Sequence, residues 1–205
     1  MHEMSKKKVI AITGIIGSGK STLSDLLRKR GYLVLDCDQG SRLCMRQGTQ
    51  GYQSIVEAFS NQILDLKGDI DRQKLGAIVF ADPLQRKRLE AIQHPFILKW
   101  IQEECQASKA SLIFVEVPLL FECGWEQYFD ESWVVLADEA VVIERLKQGR
   151  GMSDEAIQAR LKTQMKSEDK IKKADRILVN NENIIELERQ VDACLDGVKI
   201  HDGKR

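Results

Sequence analysis

The sequence has no long apolar run and no excess of either charge. None of its hydrophobic stretches approaches the ~20 residues that a membrane-spanning helix needs, so we expect no membrane contact. The 31 basic and 31 acidic side chains give a formal net charge of zero. That balance argues against a dedicated nucleic-acid-binding protein. Residues 1–8 are polar and basic and lead into a strand-like run, so we expect no signal peptide there.

Cysteine is also sparse. The five cysteines are scattered, odd in number and never spaced as C-x-x-C. This usage favours a reducing compartment, and we expect a cytoplasmic protein. The length of 205 residues, with 43% apolar and 30% charged residues, indicates one globular domain with room for inserted subdomains.

The most informative stretch is GIIGSGKST at residues 14–22, which matches the phosphate-loop pattern G-x-x-x-x-G-K-[ST]. An apolar strand-like run precedes it and leucines at helical spacing follow it. Its glycines let backbone N–H groups turn toward an anion, and the helix N-terminus adds further donors. A ligand-free glycine turn is the alternative, but the flanks argue against it. The predicted ATP-binding residues here are Gly17, Ser18, Gly19, Lys20, Ser21 and Thr22, with Lys20 on the β/γ-phosphates and Ser21 on Mg²⁺.

A second strand, predicted at residues 32–35, leads into Asp36-Cys37-Asp38. In an open parallel sheet, ligands bind outside the carboxyl ends of the strands. Either aspartate could therefore contact a ligand. Asp38 could instead be the N-cap of the next helix, and both roles could apply together.

The remaining pattern alternates helices with three apolar strands at residues 111–117, 133–136 and 176–179. We expect an α/β fold with a parallel sheet, in which residues 37–109 form a helical insertion. Asp71 is a candidate N-cap, a helix starts at Pro83, and His94-Pro95 is expected to interrupt it. Glu116 near a strand end is either a ligand for Mg²⁺ or its waters, or an ordinary ion-paired strand residue.

Residues 145–173 are rich in charge and read as short helices with Ser153 as an N-cap. Such a segment late in a phosphate-loop enzyme suggests a lid that closes on the triphosphate. A solvated helical surface is the alternative.

Taken together, the motifs resemble those of the dephospho-coenzyme A kinase family over about residues 9–191. Besides the phosphate loop and Asp36-Cys37-Asp38, the motifs that carry the resemblance are GDIDR at residues 68–72, LEAIQHP at 89–95, VPLLFE at 117–122, and then Arg160, Gln164 and Ala174-Asp175. The loop alone identifies only a large superfamily. The His-Pro and Pro-Leu-Leu-Phe-Glu segments make the match specific.

The resemblance implies transfer of the γ-phosphoryl group of ATP, with Mg²⁺, to the ribose 3′-hydroxyl of dephospho-coenzyme A. It implies a P-loop NTPase core of five parallel strands at about 8–36, 110–144 and 174–198, an acceptor subdomain at about 37–109, and a lid at about 145–173. The implied catalytic residues are Lys20, Asp38 as the base, and Arg145 from the lid. The implied acceptor-binding residues are Asp38, Arg42, Arg72 and His94. We expect a monomer.

The chain departs from the family pattern in places. Ile15 stands where the family usually has another glycine, but Gly17 and Gly19 remain, so we expect the cradle to be kept. The family's arginine before the lid serine falls at Gly149, with Arg150 one place later. The closing Asp-Asn-x-Gly pattern appears as VNNE at residues 179–182, where Asn181 is expected to reach the adenine.

Three alternatives stay open. The first is another small-molecule or nucleotide kinase on the same core. The second is a nucleotide-switch GTPase, which would need an Asn/Thr-Lys-x-Asp motif that does not follow the fourth strand. The third is a structural protein that binds Mg-ATP without turnover.

Overall fold

A computed structural model of the chain describes residues 7–198. Within them, five parallel strands form one sheet in the order β2-β3-β1-β4-β5. The strands are β1 (Lys8–Thr13), β2 (Leu33–Asp36), β3 (Leu112–Glu116), β4 (Glu131–Leu136) and β5 (Arg176–Val179). The helices are α1 (Lys20–Lys29), α2 (Cys37–Cys44), α3 (Gln50–Phe59), α4 (Arg72–Ala81), α5 (Pro83–Ala107), α6 (Glu139–Arg150), α7 (Asp154–Lys162), α8 (Ser167–Lys173) and α9 (Ile184–Asp196). The predicted fold class is confirmed.

The position of β1 in the middle of the sheet explains why its sequence is almost entirely apolar. It pairs in parallel with β3 on one side and β4 on the other, so that Ile12 lies opposite both Glu116 and Trp133. Ile10 and Ile12 are fully buried, as expected for a strand covered on both faces. Because parallel strands end at the same edge, the segment after β1 lies beside the carboxyl end of β3.

The outer strand β5 is protected by a side chain of α9. Gln190 Oε1 accepts from Val179 N at 2.7 Å, and Gln190 Nε2 donates to Val179 O at 2.9 Å. The amide thus pairs with the strand as a further strand would. Such pairing reduces the risk of association through an open sheet edge.

The described chain divides into two compact units. Residues 36–108 form one, in which helices α2 to α5 enclose an apolar cluster that includes Cys44, Ile55 and Phe59. The other contains the remaining described residues, and its main cluster includes Phe114 and Trp133 of the sheet. The roles predicted for an acceptor subdomain and a lid stay predictions, since they concern what these segments bind.

Helix α5 corrects the prediction that His94-Pro95 interrupts it. The helix runs for 25 residues with Pro95 inside it. Pro95 has no N–H, so it cannot donate the helical hydrogen bond to the carbonyl of Ala91, four residues earlier. Ala91 and Pro95 are both exposed, so water can donate to that carbonyl and the helix continues. Within residues 7–198, α5 and the other helices lack the combination of length and apolar character needed to cross a membrane.

Candidate active site

The phosphate loop connects β1 to α1, and its glycines are required by both conformation and space. Gly17 has φ 78° and Gly19 has φ 102°, in the region that side chains disfavour. A Cβ on Gly17 would stand 3.1 Å from carbons of Val142 and Leu146 on α6. A Cβ on Gly19 would clash with Asn180 Nδ2. The loop can therefore lie tightly against α6 and Asn180 only because both positions are glycine.

Lys20 is the first residue of α1 and is only 8% exposed. Its Nζ donates to the carbonyls of Gly14 at 3.0 Å and Ile15 at 2.9 Å. The ammonium group therefore lies against the loop, at the N-terminus of a helix whose dipole favours anions. Thr22 follows in the first turn of the same helix and is exposed.

Ser21 and Glu116 come together at the carboxyl ends of β1 and β3. Ser21 Oγ donates to Glu116 Oε1 at 3.4 Å, and Ser24 Oγ donates to Glu116 Oε2 at 2.8 Å. Within the described residues, the partners of Glu116 are thus serine hydroxyls rather than a basic side chain.

Hydroxyl and carboxylate oxygens are the ligand types that Mg²⁺ prefers, and Mg²⁺ is commonly held by one or two such groups together with phosphates and water. The pair Ser21 and Glu116 fits that use. Over residues 7–198, no group of three or more His, Cys, Asp or Glu side chains is arranged to hold a metal ion.

Arg145 lies on α6, the helix that contacts the loop at Gly17. Its Nη1 is buried and has no hydrogen-bond partner in the described part of the chain. An unpaired buried guanidinium nitrogen is costly, which makes it a candidate for an anionic partner.

Asn181 follows β5 and already has a partner for its oxygen. Asn181 Oδ1 accepts from Asp138 N at 2.7 Å, just before α6 begins. The side chain therefore joins the end of β5 to the start of α6. Its predicted contact with adenine stays a prediction.

The alternative in which Asp38 caps α2 is wrong. β2 extends to Asp36, and it is Asp36, not Asp38, that caps α2: Asp36 Oδ1 accepts from Asp38 N at 2.8 Å. Asp38 lies in the first turn of α2 with an exposed side chain. Its carboxylate is therefore not used as the cap of this helix. Arg42 lies one turn later, with Nη2 at 3.6 Å from Asp36 Oδ2.

The other predicted acceptor residues lie on separate helices of the same unit. Arg72 is the first residue of α4, after the N-cap Asp71. His94 is in α5, and a hydrogen bond of 3.1 Å from Gln93 to Ser41 joins α5 to α2 next to it. Partial burial lowers the pKa of His94 from its ordinary 6.5, against the opposing effect of Glu90. At neutral pH, His94 is therefore mainly an uncharged hydrogen-bonding group.

Two further residues hold the phosphate loop, and neither was given a role from the sequence. Asn180 Nδ2 donates to Ser18 O at 2.9 Å, and Gln164 Oε1 accepts from Ile16 N at 2.8 Å. Asn180 could have been suspected because it directly follows an apolar strand, at the ligand-binding edge of the sheet. The only sequence signal for Gln164 is its place in the family motif.

Comparisons with known proteins identify the family of this chain. The family described as dephospho-CoA kinase matches residues 8–186. The chain is 39% identical over 189 residues to the dephospho-CoA kinase of Geobacillus kaustophilus, covering 91% of this chain and 94% of that protein.

Two solved structures also match most of this chain. The protein TT1252 from Thermus thermophilus is 36% identical with a TM-score of 0.85, over 95% of this chain and 99% of that one. The dephospho-CoA kinase from Campylobacter jejuni is 29% identical with a TM-score of 0.68, over 93% and 96%. The resemblance inferred from the motifs is confirmed, and the chain belongs to the dephospho-CoA kinase family.

Proposed function

We propose that this protein transfers the γ-phosphoryl group of ATP to the ribose 3′-hydroxyl of dephospho-coenzyme A, which gives coenzyme A and ADP. The observation that carries the proposal is the phosphate loop, with Lys20 and the Ser21–Glu116 pair at one sheet edge, in a member of this family. The reaction forms a bond between the 3′-oxygen and the γ-phosphorus and breaks the bond from that phosphorus to the β,γ-bridging oxygen. The hydroxyl proton must be accepted during this exchange.

On the ATP side, the loop residues Gly17 to Thr22 bind the phosphates through backbone N–H groups and the N-terminus of α1. Lys20 turns from the loop carbonyls to the β/γ-phosphates and stabilises the charge that develops in the transition state. Bound Mg²⁺, held with the help of Ser21 and Glu116, would neutralise phosphate charge. Arg145 supplies a further cation, and Asn181 contacts the adenine.

On the acceptor side, Asp38 is the proposed base. Its carboxylate is exposed and does not cap α2, so it can orient the 3′-hydroxyl and accept its proton. An ordinary carboxylate suffices, because phosphoryl transfer depends mainly on positioning and charge neutralisation. Arg42 and Arg72 are proposed to bind acceptor phosphates as bidentate donors, and His94 contributes neutral hydrogen bonds.

The organisation proposed with this function is an acceptor subdomain at about 37–109 and a lid at about 145–173, each inserted in the sequence of the core. We also propose a monomer that acts in the cytoplasm, in agreement with the sparse and scattered cysteines. Light scattering on the purified chain would test the monomer, since a mass of twice 23.3 kDa would contradict it.

The experiment is a coupled ADP-release assay with dephospho-coenzyme A, AMP and shikimate as acceptors. Turnover should require dephospho-coenzyme A. Lys20→Ala should lower kcat by about 10²–10³, by analogy with the loss of other transition-state donors. Lys29→Ala, at the exposed end of the same helix, is the matched control and should keep normal turnover. Faster turnover of AMP or shikimate would favour another small-molecule kinase, and ATP binding without turnover on any acceptor would contradict the enzyme.

A further inference from the structure

The phosphate loop is held from two sides, and one of the two contacts comes from the segment between α7 and α8. Asn180 holds the carbonyl of Ser18, and Gln164 holds the N–H of Ile16. Because a backbone N–H can only donate, the side-chain atom of Gln164 that faces it must be the amide oxygen. These two bonds fix consecutive parts of the loop on either side of Gly17.

The segment that carries Gln164 is itself anchored to the core. Glu122 Oε1 accepts from Met165 N at 2.8 Å and from Lys170 Nζ at 2.8 Å. Lys170 is fully buried, and its ammonium lies 5.7 Å from the centre of the Phe121 ring. A buried ion pair with further hydrogen bonds has a strongly defined geometry, because breaking it would leave a charge without a partner. Gln164 is therefore held in place by the residue next to it in the chain.

An apolar contact supports the same connection between the loop and this segment. Ile15, Val142, Leu146 and Ile157 form one buried cluster, with Ile16 packed against it. Ile157 belongs to α7, the helix that ends just before Gln164. The first half of the loop thus packs on α7 and is hydrogen-bonded to Gln164, two residues after the end of that helix.

We propose that Gln164 is a positioning residue for ATP: it keeps the phosphate loop in its binding conformation by holding the Ile16 N–H, and Glu122 keeps Gln164 in register. The proposal rests on the proposed function for its acceptor assay but not for its ATP measurement. A loop that is already ordered binds its ligand without the cost of ordering it. Loss of the Gln164 bond should therefore weaken ATP binding specifically.

The test compares Gln164→Met, which removes the acceptor at similar length, with Gln158→Met on the exposed face of α7. Affinity for a non-hydrolysable ATP analogue is measured directly by titration calorimetry. Gln164→Met should weaken it about three- to tenfold, the effect of one lost hydrogen bond. Gln158→Met should bind as the wild type does. The KM for dephospho-coenzyme A should change less than about twofold in both variants, because neither substitution alters a proposed acceptor-binding residue and substitutions away from a contact have small effects on it.

A second measurement reports on the loop itself. Amide exchange at Ile16, followed by NMR in the ligand-free protein, should be faster in Gln164→Met than in Gln158→Met. Equal ATP affinity in the two variants, tighter ATP binding in Gln164→Met, or an equal rise of both substrate constants would overturn the proposal. Failure of the proposed function would show differently, as wild-type protein that binds the ATP analogue but does not phosphorylate dephospho-coenzyme A.

Discussion

The two aspartates at the start of α2 offer a sharp test of the base, because they lie two residues apart and have different partners. Asp36 caps the helix by accepting from the backbone N–H of Asp38 at 2.8 Å. Asp38 is exposed, and its carboxylate does not serve as a cap. Asp38→Asn should therefore lower the unfolding free energy by no more than about 1 kcal/mol, from the lost charge in the first turn of the helix, while it lowers kcat by about 10²–10⁴, the usual value of a general base. ATP affinity should also stay normal, since the phosphate loop is unaltered.

Substitutions of Asp36 should show the opposite pattern. An asparagine is as good an N-cap as an aspartate, so Asp36→Asn loses only its charge interaction with Arg42, an exposed pair worth about 0–1 kcal/mol. Asp36→Ala removes the cap and should lower the free energy of unfolding by about 0.5–2 kcal/mol. Both variants should keep most of their turnover, because neither removes the proposed base.

The assay is kcat at saturating ATP and dephospho-coenzyme A for the three variants, with urea unfolding and ATP titration measured separately. Asp36→Ala is the control that separates a damaged helix from a missing base. The reasoning is refuted if Asp38→Asn keeps near-normal kcat while Asp36→Asn loses turnover, since the base would then be the other carboxylate.

Three further changes test the loop, the lid and the sheet. Gly19→Ala would place a Cβ against Asn180 Nδ2, in a residue with φ 102°. ATP affinity by calorimetry should fall at least about tenfold, from backbone strain and loss of the hydrogen bond between Asn180 and Ser18; normal affinity would contradict the tight packing. Amide exchange over residues 145–173 should slow when ATP and acceptor are both bound, and equal exchange in the free and bound protein would argue against a lid. Burial raises the pKa of Glu131, but hydrogen bonds from two basic side chains outweigh this and hold it below 4.5. Glu131→Gln should therefore cost about 1–3 kcal/mol at pH 7 by urea unfolding, and the difference should shrink as pH falls below 4.5 through the lowered pKa; a difference that does not depend on pH would contradict this.

Features that depend on neighbouring residues could be predicted from the sequence. The N-caps Asp71 and Ser153 are confirmed, since each accepts a hydrogen bond from a backbone N–H two or three residues later. The cap of α2 could not be predicted in the same way, because it depends on where β2 ends. The strand extends to Asp36, whose φ of −130° and ψ of 118° are those of a cap, so the capping role falls on Asp36 and not on Asp38.

Contacts between distant parts of the chain could not be derived in this way. Asn180 and Ser18 are 162 residues apart, and Gln164 and Ile16 are 148 residues apart. An amide side chain has the same local appearance whether it faces solvent or a backbone group far along the chain. Only the folded topology, which brings the end of β5 and the segment after α7 to the loop, shows that these amides have partners there.

The departure at Ile15 shows how such distant contacts decide which loop residues can vary. Among the described residues, positive φ occurs at Gly14, Gly17 and Gly19 of the loop but not at Ile15. A side chain at Ile15 therefore costs no backbone strain. It is 8% exposed and packs in the cluster with Val142, Leu146 and Ile157, so it adds buried apolar contact to helices that already touch the loop. The position can lose a glycine because its backbone never needed one. Gly17 and Gly19 differ from it because their positive φ disfavours a side chain. A Cβ would also crowd Val142 and Leu146 at Gly17 and clash with Asn180 at Gly19.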